Sequence, residues 1–379
     1  MPGTALLPYG SKMLKQAAVS AGKRAVALAK EGLRPSDIVT TKSFENAILV
    51  HAAISGSTNA LLHLPAIAHE LGITITGDDF DRLHRKAKYL VDIRPTGKYP
   101  AEFFYYAGGV PMVMEQIKEE LHLDVMTVTG KKLGENLEEL KQNGYYARCQ
   151  AELEKANQRY HLHLRRQDII RDGSDPIDSD GSIAVLHGNL APLGAVIKHT
   201  ACPKEMFHAV LKARPFDCEE DALDAVLHHR IQPGDAVIIR YEGPQGSGMP
   251  EMFYTTEAIS SDPELGRSIA LITDGRFSGA STGPVIGHVS PEAQAGGPLA
   301  LVEEGDLIQI DVPERKLEIV GIHGEKMSAD KIHAVLQERK ENLAPHPHKY
   351  QKGVLRLFGM LAASPMQGAW LDYDHIQKK

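Results

Sequence analysis

The sequence predicts an α/β protein in which an α-rich first part is followed by a β-rich second part that closes as a barrel or sandwich. Three observations predict this. The chain has 379 residues, enough for about two domains at roughly 100–200 residues each. Apolar residues recur at helical spacing over roughly the first 150 positions. After Asp172 the pattern changes to short β-branched runs separated by turns.

In order, the first helix runs from an N-cap at Ser11 through Met13, Leu14, Ala17, Ala18, Ala21, Ala25 and Leu28 to Gly32, which stops it. A second follows Ser43, with Phe44, Ala47, Ile48 and His51 on one face. A third follows Thr58 and Asn59 and reaches Gly72, with Pro65 expected to kink or break it. Asp78 and Asp79 start another, and Met126–Gly130 (MTVTG) reads as a short strand. Residues 136–172 are polar and mixed in charge and read as a solvated helix and connector. Strands are then expected at Ser182–Leu186, Ala195–His199, Ala236–Tyr241, Ser268–Thr273, Leu307–Val312 and Lys316–Val320. Only Glu219–His228 and the stretch after Ser328 read as helical in this half.

Composition narrows the function. Hydrophobic residues make up 42% and charged residues 24% of the chain, the balance of a folded protein. The net charge of −7 offers no overall basic face for nucleic acid or an anionic membrane, which favours small-molecule chemistry. No window carries about 18 uninterrupted apolar residues. The three cysteines, Cys149, Cys202 and Cys218, form no CxxC pair, so neither a disulfide framework nor a zinc site is read, and a reducing cytoplasm fits.

Three loops carry polar groups suited to chemistry. In Ser268–Gly297 an apolar strand runs into Asp274-Gly275-Arg276-Phe277-Ser278-Gly279, where glycines permit close backbone approach. That turn either binds an anion or caps a following helix. In Tyr241–Tyr254 a Gly/Pro-rich loop ends at Glu251, either a hard oxygen ligand for Mg²⁺ or a charge complementing a helix N-terminus. In Ala53–Leu64, Ser57, Thr58 and Asn59 either bind a ligand or cap a helix. The pairs His161/His163 and His346/His348 have chelating spacing but sit in solvated surroundings.

Six blocks in order, from ENAILVHAAISGSTNALLHLPAIAHELG through AGGVPMVMEQI, DVMTVTGKKLGENL, GNLAPLGAVIK and EEDALDAVLHHRIQPGDAVIIRYEGPQGSGMPEMF to ALITDGRFSGASTGPVIGHVSPEAQAGGPLALVEEGDLIQIDV, resemble the dihydroxy-acid/phosphogluconate dehydratase family of iron–sulfur enzymes. The polar insertion at 144–172, the shortened GPQGSGMPE loop and the segment Gly368–Asp374 are similar to the sugar-acid branch, xylonate dehydratase in particular. The resemblance implies an incomplete α/β domain at 1–165, a β-barrel-like, swivelling domain at 175–340 and a C-terminal tail at 341–379. It implies dehydration of a sugar acid or 2,3-dihydroxy acid to a 2-keto acid, at a site between the two domains, in a cytoplasmic homo-oligomer, dimer or tetramer. Ser278 would be the base, Glu251 a Mg²⁺ ligand, and Ser57, Thr58, Asn59, Arg276 and Gly279 substrate-binding residues.

The resemblance also implies an iron–sulfur cluster and Mg²⁺. The family's cluster cysteines and remaining Mg²⁺ ligands lie upstream of the stretch that Met1–Ala5 resembles, and none of the three cysteines falls in a cluster motif. The expectation is therefore a C-terminal portion acting with an N-terminal part that is encoded separately as its own chain, lost, or left out of this sequence. The alternative is an inactive remnant or an accessory, oligomerisation subunit. Such a portion is also expected to expose apolar surface on helices such as Ser11–Gly32.

Overall fold

The computed structural model describes residues 1–279 and 281–373. The chain divides into two compact units, one of residues 1–56 and 82–182 and the other of residues 57–81 and 183–379. The last six residues of the tail expected at 341–379, including Asp374 of the segment likened to the sugar-acid branch, lie outside the described residues.

The first unit is helical. Its first helix, Lys12–Glu31, is capped as expected, with the Ser11 hydroxyl accepting the Leu14 N–H at 3.1 Å and Gly32 in the left-handed conformation. No residue of that helix is buried, and Val19 and Val26 are exposed. Helix Thr41–Ala53 buries Phe44, Ile48, Leu49 and Val50, and Tyr145–Tyr160 buries Tyr145, Cys149, Leu153 and Ala156. The latter lies in the stretch expected to be solvated. Its apolar side chains are diluted among charges yet recur every three or four positions, which suffices to seat one face. Met126–Gly130 is a turn with a single bridge from Met126 to Lys132, not a strand. Among the described residues this unit contains isolated bridges but no strand, so the α/β character expected of residues 1–165 is not seen there.

The second unit is organised by one mixed sheet of nine strands: β1 Ala184–Leu186, β2 Gly194–Ile197, β3 His208–Phe216, β4 Asp235–Ile239, β5 Ala270–Thr273, β6 Val285–Ser290, β7 Leu307–Asp311, β8 Lys316–Ile322 and β9 Glu325–Lys326. Their spatial order is β1-β2-β6-β5-β4-β3-β7-β8-β9. The pairs β3–β4, β4–β5 and β5–β6 are parallel and the rest antiparallel. The sheet curls into a half-barrel, and His187, just past β1, bridges Lys316 at the start of β8. The barrel-like expectation is met in this open form.

Burial follows the pleat. Ile197, Ile238, Ile272 and Ile286 join one core cluster, whereas Val237, Ile239, Leu271 and Val285 join another with Phe277. Strands β4 and β5 are buried on both faces, which is why they read as unbroken apolar runs.

Helix Ala60–His69 passes through Pro65 without interruption, against the expected break. The Gly368 backbone runs along this turn, where an added Cβ would lie 2.6 Å from the Ala66 nitrogen. Packing against the C-terminal segment offsets the lost helical hydrogen bond. Helix Phe253–Ser261 follows Glu251, where a helix N-terminus was one of the two alternatives, and helices Ala329–Asn342 and Gly353–Leu361 fall in the stretch after Ser328 that reads as helical.

Ile272 is fully buried in the sheet core. Ile272→Ala is expected to lower unfolding stability by about 2–5 kcal/mol, read as a shift of the urea midpoint at unchanged slope.

Candidate functional site

Strand β5 ends at Thr273, and the chain turns at once into Asp274-Gly275-Arg276-Phe277-Ser278-Gly279. Asp274 is fully buried and its carboxylate accepts three backbone N–H groups: Tyr241 at 3.1 Å, Glu242 at 3.0 Å and Ala293 at 2.8 Å. One side chain thus ties its own turn to the loop after β4 and the loop after β6. Glu292 repeats the device, accepting the Gln245 N–H at 2.9 Å and the Gly246 N–H at 3.1 Å. Gly243 must be glycine, because a Cβ there would lie 2.3 Å from Glu292 Oε2.

A third carboxylate, Glu242, is 1% exposed, with Lys349 Nζ at 3.2 Å and the Ser247 hydroxyl donating to it. Burial pushes Asp274 up to about 6, and burial together with the Asp274 charge pushes Glu292 up to about 8.

These ties bring the expected loops together. Glu251 and Arg276 form a parallel bridge, and Met252 N–H donates to the Arg276 carbonyl at 2.8 Å. Asn59 completes the group. Its Nδ2 donates to Glu251 Oε1 at 3.0 Å, and its Oδ1 accepts from Arg276 Nη1 at 3.4 Å.

The alternatives left open by the sequence are thereby separated for Asn59. It already has helical dihedrals, φ −57° and ψ −24°, and its side chain makes no cap bond. The side chain is spent instead on residues about two hundred positions away. For Glu251 the helix alternative stays open, since helix Phe253–Ser261 starts two residues later.

Ser57 lies beside Gly279, where an added Cβ would be 2.9 Å from Ser57 Oγ, so the two loops touch only because residue 279 lacks a side chain. Thr58 is fully buried, and its hydroxyl has no hydrogen-bond partner among the described residues. The same holds for Arg276 Nε and the Ser281 hydroxyl. Buried polar atoms are nearly always paired, so orphans gathered at one group of loops mark where a polar ligand belongs. Ser278 is partly buried, and its carbonyl accepts the Ser281 N–H at 3.0 Å. A cavity of about 390 Å³ adjoins the group, lined by His63, Met249, Arg276, Tyr350 and Phe358 among others, a size suited to a small molecule.

For a metal, Glu251 fits Mg²⁺ as one hard carboxylate ligand, since this ion commonly takes one or two carboxylates and keeps several waters. Among the described residues, no group of three His, Cys, Asp or Glu is arranged to hold a metal ion, and the two His-x-His pairs join none. His346 instead stacks on Tyr241 with ring centroids 3.8 Å apart.

The three thiols occupy separate surroundings and do not fit an iron–sulfur cluster. Cys149 packs with Tyr105, Leu140 and Tyr145, Cys202 lies in the sheet core, and Cys218 precedes helix Glu219–Leu227. Burial pushes the Cys202 thiol up to about 12 and Cys218 up to about 11, away from the thiolate that clusters require.

Comparison with known proteins identifies the family. Residues 168–369 match the family model described as dihydroxy-acid/6-phosphogluconate dehydratase C-terminal, and residues 1–136 match its N-terminal counterpart. The chain is 42% identical over 373 residues to a dihydroxy-acid dehydratase of Methanosarcina barkeri, covering 98% of this chain and 62% of that protein. It is 42% identical over 375 residues to one of Acetivibrio thermocellus, covering 98% and 62%. It is 41% identical over 374 residues to one of Sulfurisphaera tokodaii, covering 98% and 61%. The chain therefore spans about three fifths of the length of these relatives. Their names point to dihydroxy acids and lend no support to the expected sugar-acid branch.

Glu292 sets a pH dependence. Its carboxyl holds a proton more tightly folded than unfolded, so its contribution is fully present below about 4.5 and is lost as pH rises through about 8. Thermal stability is expected to fall across this window, and Glu292→Gln to flatten the decline. A slope unchanged by the substitution would show that other groups set it.

Proposed function

The chain belongs to the dihydroxy-acid/6-phosphogluconate dehydratase family, and on that footing we propose that it carries the acid-binding and base-bearing part of a hydro-lyase that converts a 2,3-dihydroxy acid to a 2-keto acid. One observation carries the reading: the Asn59 side chain bonds Glu251 and Arg276 at once, joining three loops that are far apart in sequence.

The chemistry assigns the parts. Elimination of water removes a weakly acidic C2 proton and expels hydroxide from C3, and the enol then tautomerises to the keto acid. Arg276 holds the substrate carboxylate, for which its planar fork is suited. Ser278 takes the C2 proton. A serine hydroxyl becomes a base only where positive charge stabilises its alkoxide, and Arg276, two residues before it, contributes such charge. Mg²⁺ held in part by Glu251 would supply further stabilisation of charge developing at the C2 oxygen. The unpartnered Thr58 hydroxyl and the Ser57 hydroxyl offer hydrogen bonds to substrate oxygens, and Gly279 keeps the two loops close. A homo-oligomer in the cytoplasm is the setting this reading carries with it.

The test is 2-keto acid formation from 2,3-dihydroxy-3-methylbutanoate, xylonate and gluconate by the chain reconstituted anaerobically with iron, sulfide and Mg²⁺, alone and with the N-terminal portion of a relative. The branched dihydroxy acid is expected to turn over fastest. Faster turnover of xylonate or gluconate would favour the sugar-acid branch. Ser278→Ala is expected to cost about 10²–10⁴-fold in kcat with substrate binding retained. Tight binding without turnover in any combination would favour the inactive or accessory alternative.

A further inference from the structure

Strand β6 contains an irregularity beside the site. In its pairing with β2, Gly194 faces Ser290 while Val196 faces Gly287, so two steps along β2 span three along β6. β6 therefore carries one extra residue at this point. His288 lies within the bulge with φ +57°, a left-handed conformation uncommon outside glycine though better tolerated by His and Asn than by most residues. Its N–H donates to the Gly275 carbonyl at 2.8 Å, and its carbonyl accepts the Ser290 hydroxyl at 3.0 Å. The bulge is thus bonded to the residue preceding Arg276.

The His288 side chain is fully buried, yet neither ring nitrogen has a hydrogen-bond partner among the described residues. Burial, followed by the nearby Arg276 charge, pushes the ring down to about 3, so it is neutral at any physiological pH. A neutral imidazole offers one donor and one acceptor, as does a hydroxyl group, while a carboxylate only accepts. Arg276 and His288 therefore suit different ends of one molecule. A strained, buried and unpaired side chain is costly to keep unless something bound there pairs it.

We propose that His288 is a ligand-binding residue of the Asn59–Glu251–Arg276 site, where its imidazole hydrogen-bonds a hydroxyl of a hydroxy-carboxylate whose carboxylate lies against Arg276. This rests on the dihydroxy-acid reading above and adds to it a group that distinguishes hydroxylated acids from plain ones.

The test compares two probes that differ only in that hydroxyl, 2-hydroxy-3-methylbutanoate and 3-methylbutanoate, by calorimetric titration into the full chain. The hydroxy acid is expected to bind at least about tenfold tighter, the scale of one well-made hydrogen bond to a buried partner. In His288→Phe that preference is expected to collapse towards unity while the Kd for 3-methylbutanoate stays within threefold. His288→Asn, which tolerates the bulge and keeps a donor and an acceptor, is expected to retain part of it. If His288→Phe fails to fold, ¹⁵N-imidazole spectra of the unsubstituted chain decide, with His288→Asn identifying the resonances. The hydroxy acid should shift both ring nitrogens and 3-methylbutanoate neither. A preference intact in His288→Phe, or ring signals silent to the hydroxy acid, would overturn the role of His288 and leave the acid site standing. Failure of both acids to bind the unsubstituted chain would overturn the dihydroxy-acid reading and this role together.

Discussion

The buried carboxylate of Asp274 is the constraint on which the second unit's site depends. Three backbone N–H groups from two other loops converge on it. Hydrogen bonds to an ionised group are stronger than neutral ones, and inside a core the alternative for each donor is to remain unpaired. Removing the carboxylate would strand all three at once. The loop that ends in Glu251, the turn that carries Arg276 and Ser278, and the bend containing Glu292 are thus positioned by a single anchor, with Glu292 adding a second tie to the first of these loops.

This anchoring explains how irregular segments can hold side chains in fixed relation. Tyr241, Met249 and His288 all have positive φ, conformations that non-glycine residues adopt only where the surroundings impose them. The surroundings here are strands β4, β5 and β6, which are buried along their whole length. Rigid parallel strands end, and loops held by buried carboxylates begin, at the same edge of the sheet. Binding residues of parallel sheets commonly sit at such edges.

Much of this was legible in the sequence because the signals were local. Ser11 and Gly32 delimit the first helix, and the runs at Asp235–Ile239 and Ala270–Thr273 are β-branched and unbroken. Glu251, Arg276 and Asn59 stood out as polar residues in glycine-rich or helix-starting loops. What was hidden was non-local. Strand β3 (His208–Phe216) interleaves His, Lys and Arg with apolar residues and reads as nothing in particular, yet it lies between β4 and β7. Among the described residues Asp274 and Glu292 accept hydrogen bonds only from backbone amides, and an amide carries no residue identity for a pattern to reveal. Pro65 was misleading for the converse reason, a local rule overridden by packing against a distant stretch of chain. The valine- and threonine-rich run at 126–130 has strand composition but pairs through only one bridge, so it remains a turn.

The placement of residues 57–81 in the second unit, between two stretches of the first, bears on how the protein reaches its folded state. Asn59 emerges early in synthesis, but its partners Glu251 and Arg276 follow by 192 and 217 positions. The sheet that supports those partners must form before the contact can be made, and closing so long a loop is slow because its entropy is lost before any bond repays it. The junction among the three loops is accordingly among the last parts of the molecule to order. A C-terminal piece beginning at residue 183 would contain every strand of the sheet and still lack the residue that joins Glu251 to Arg276.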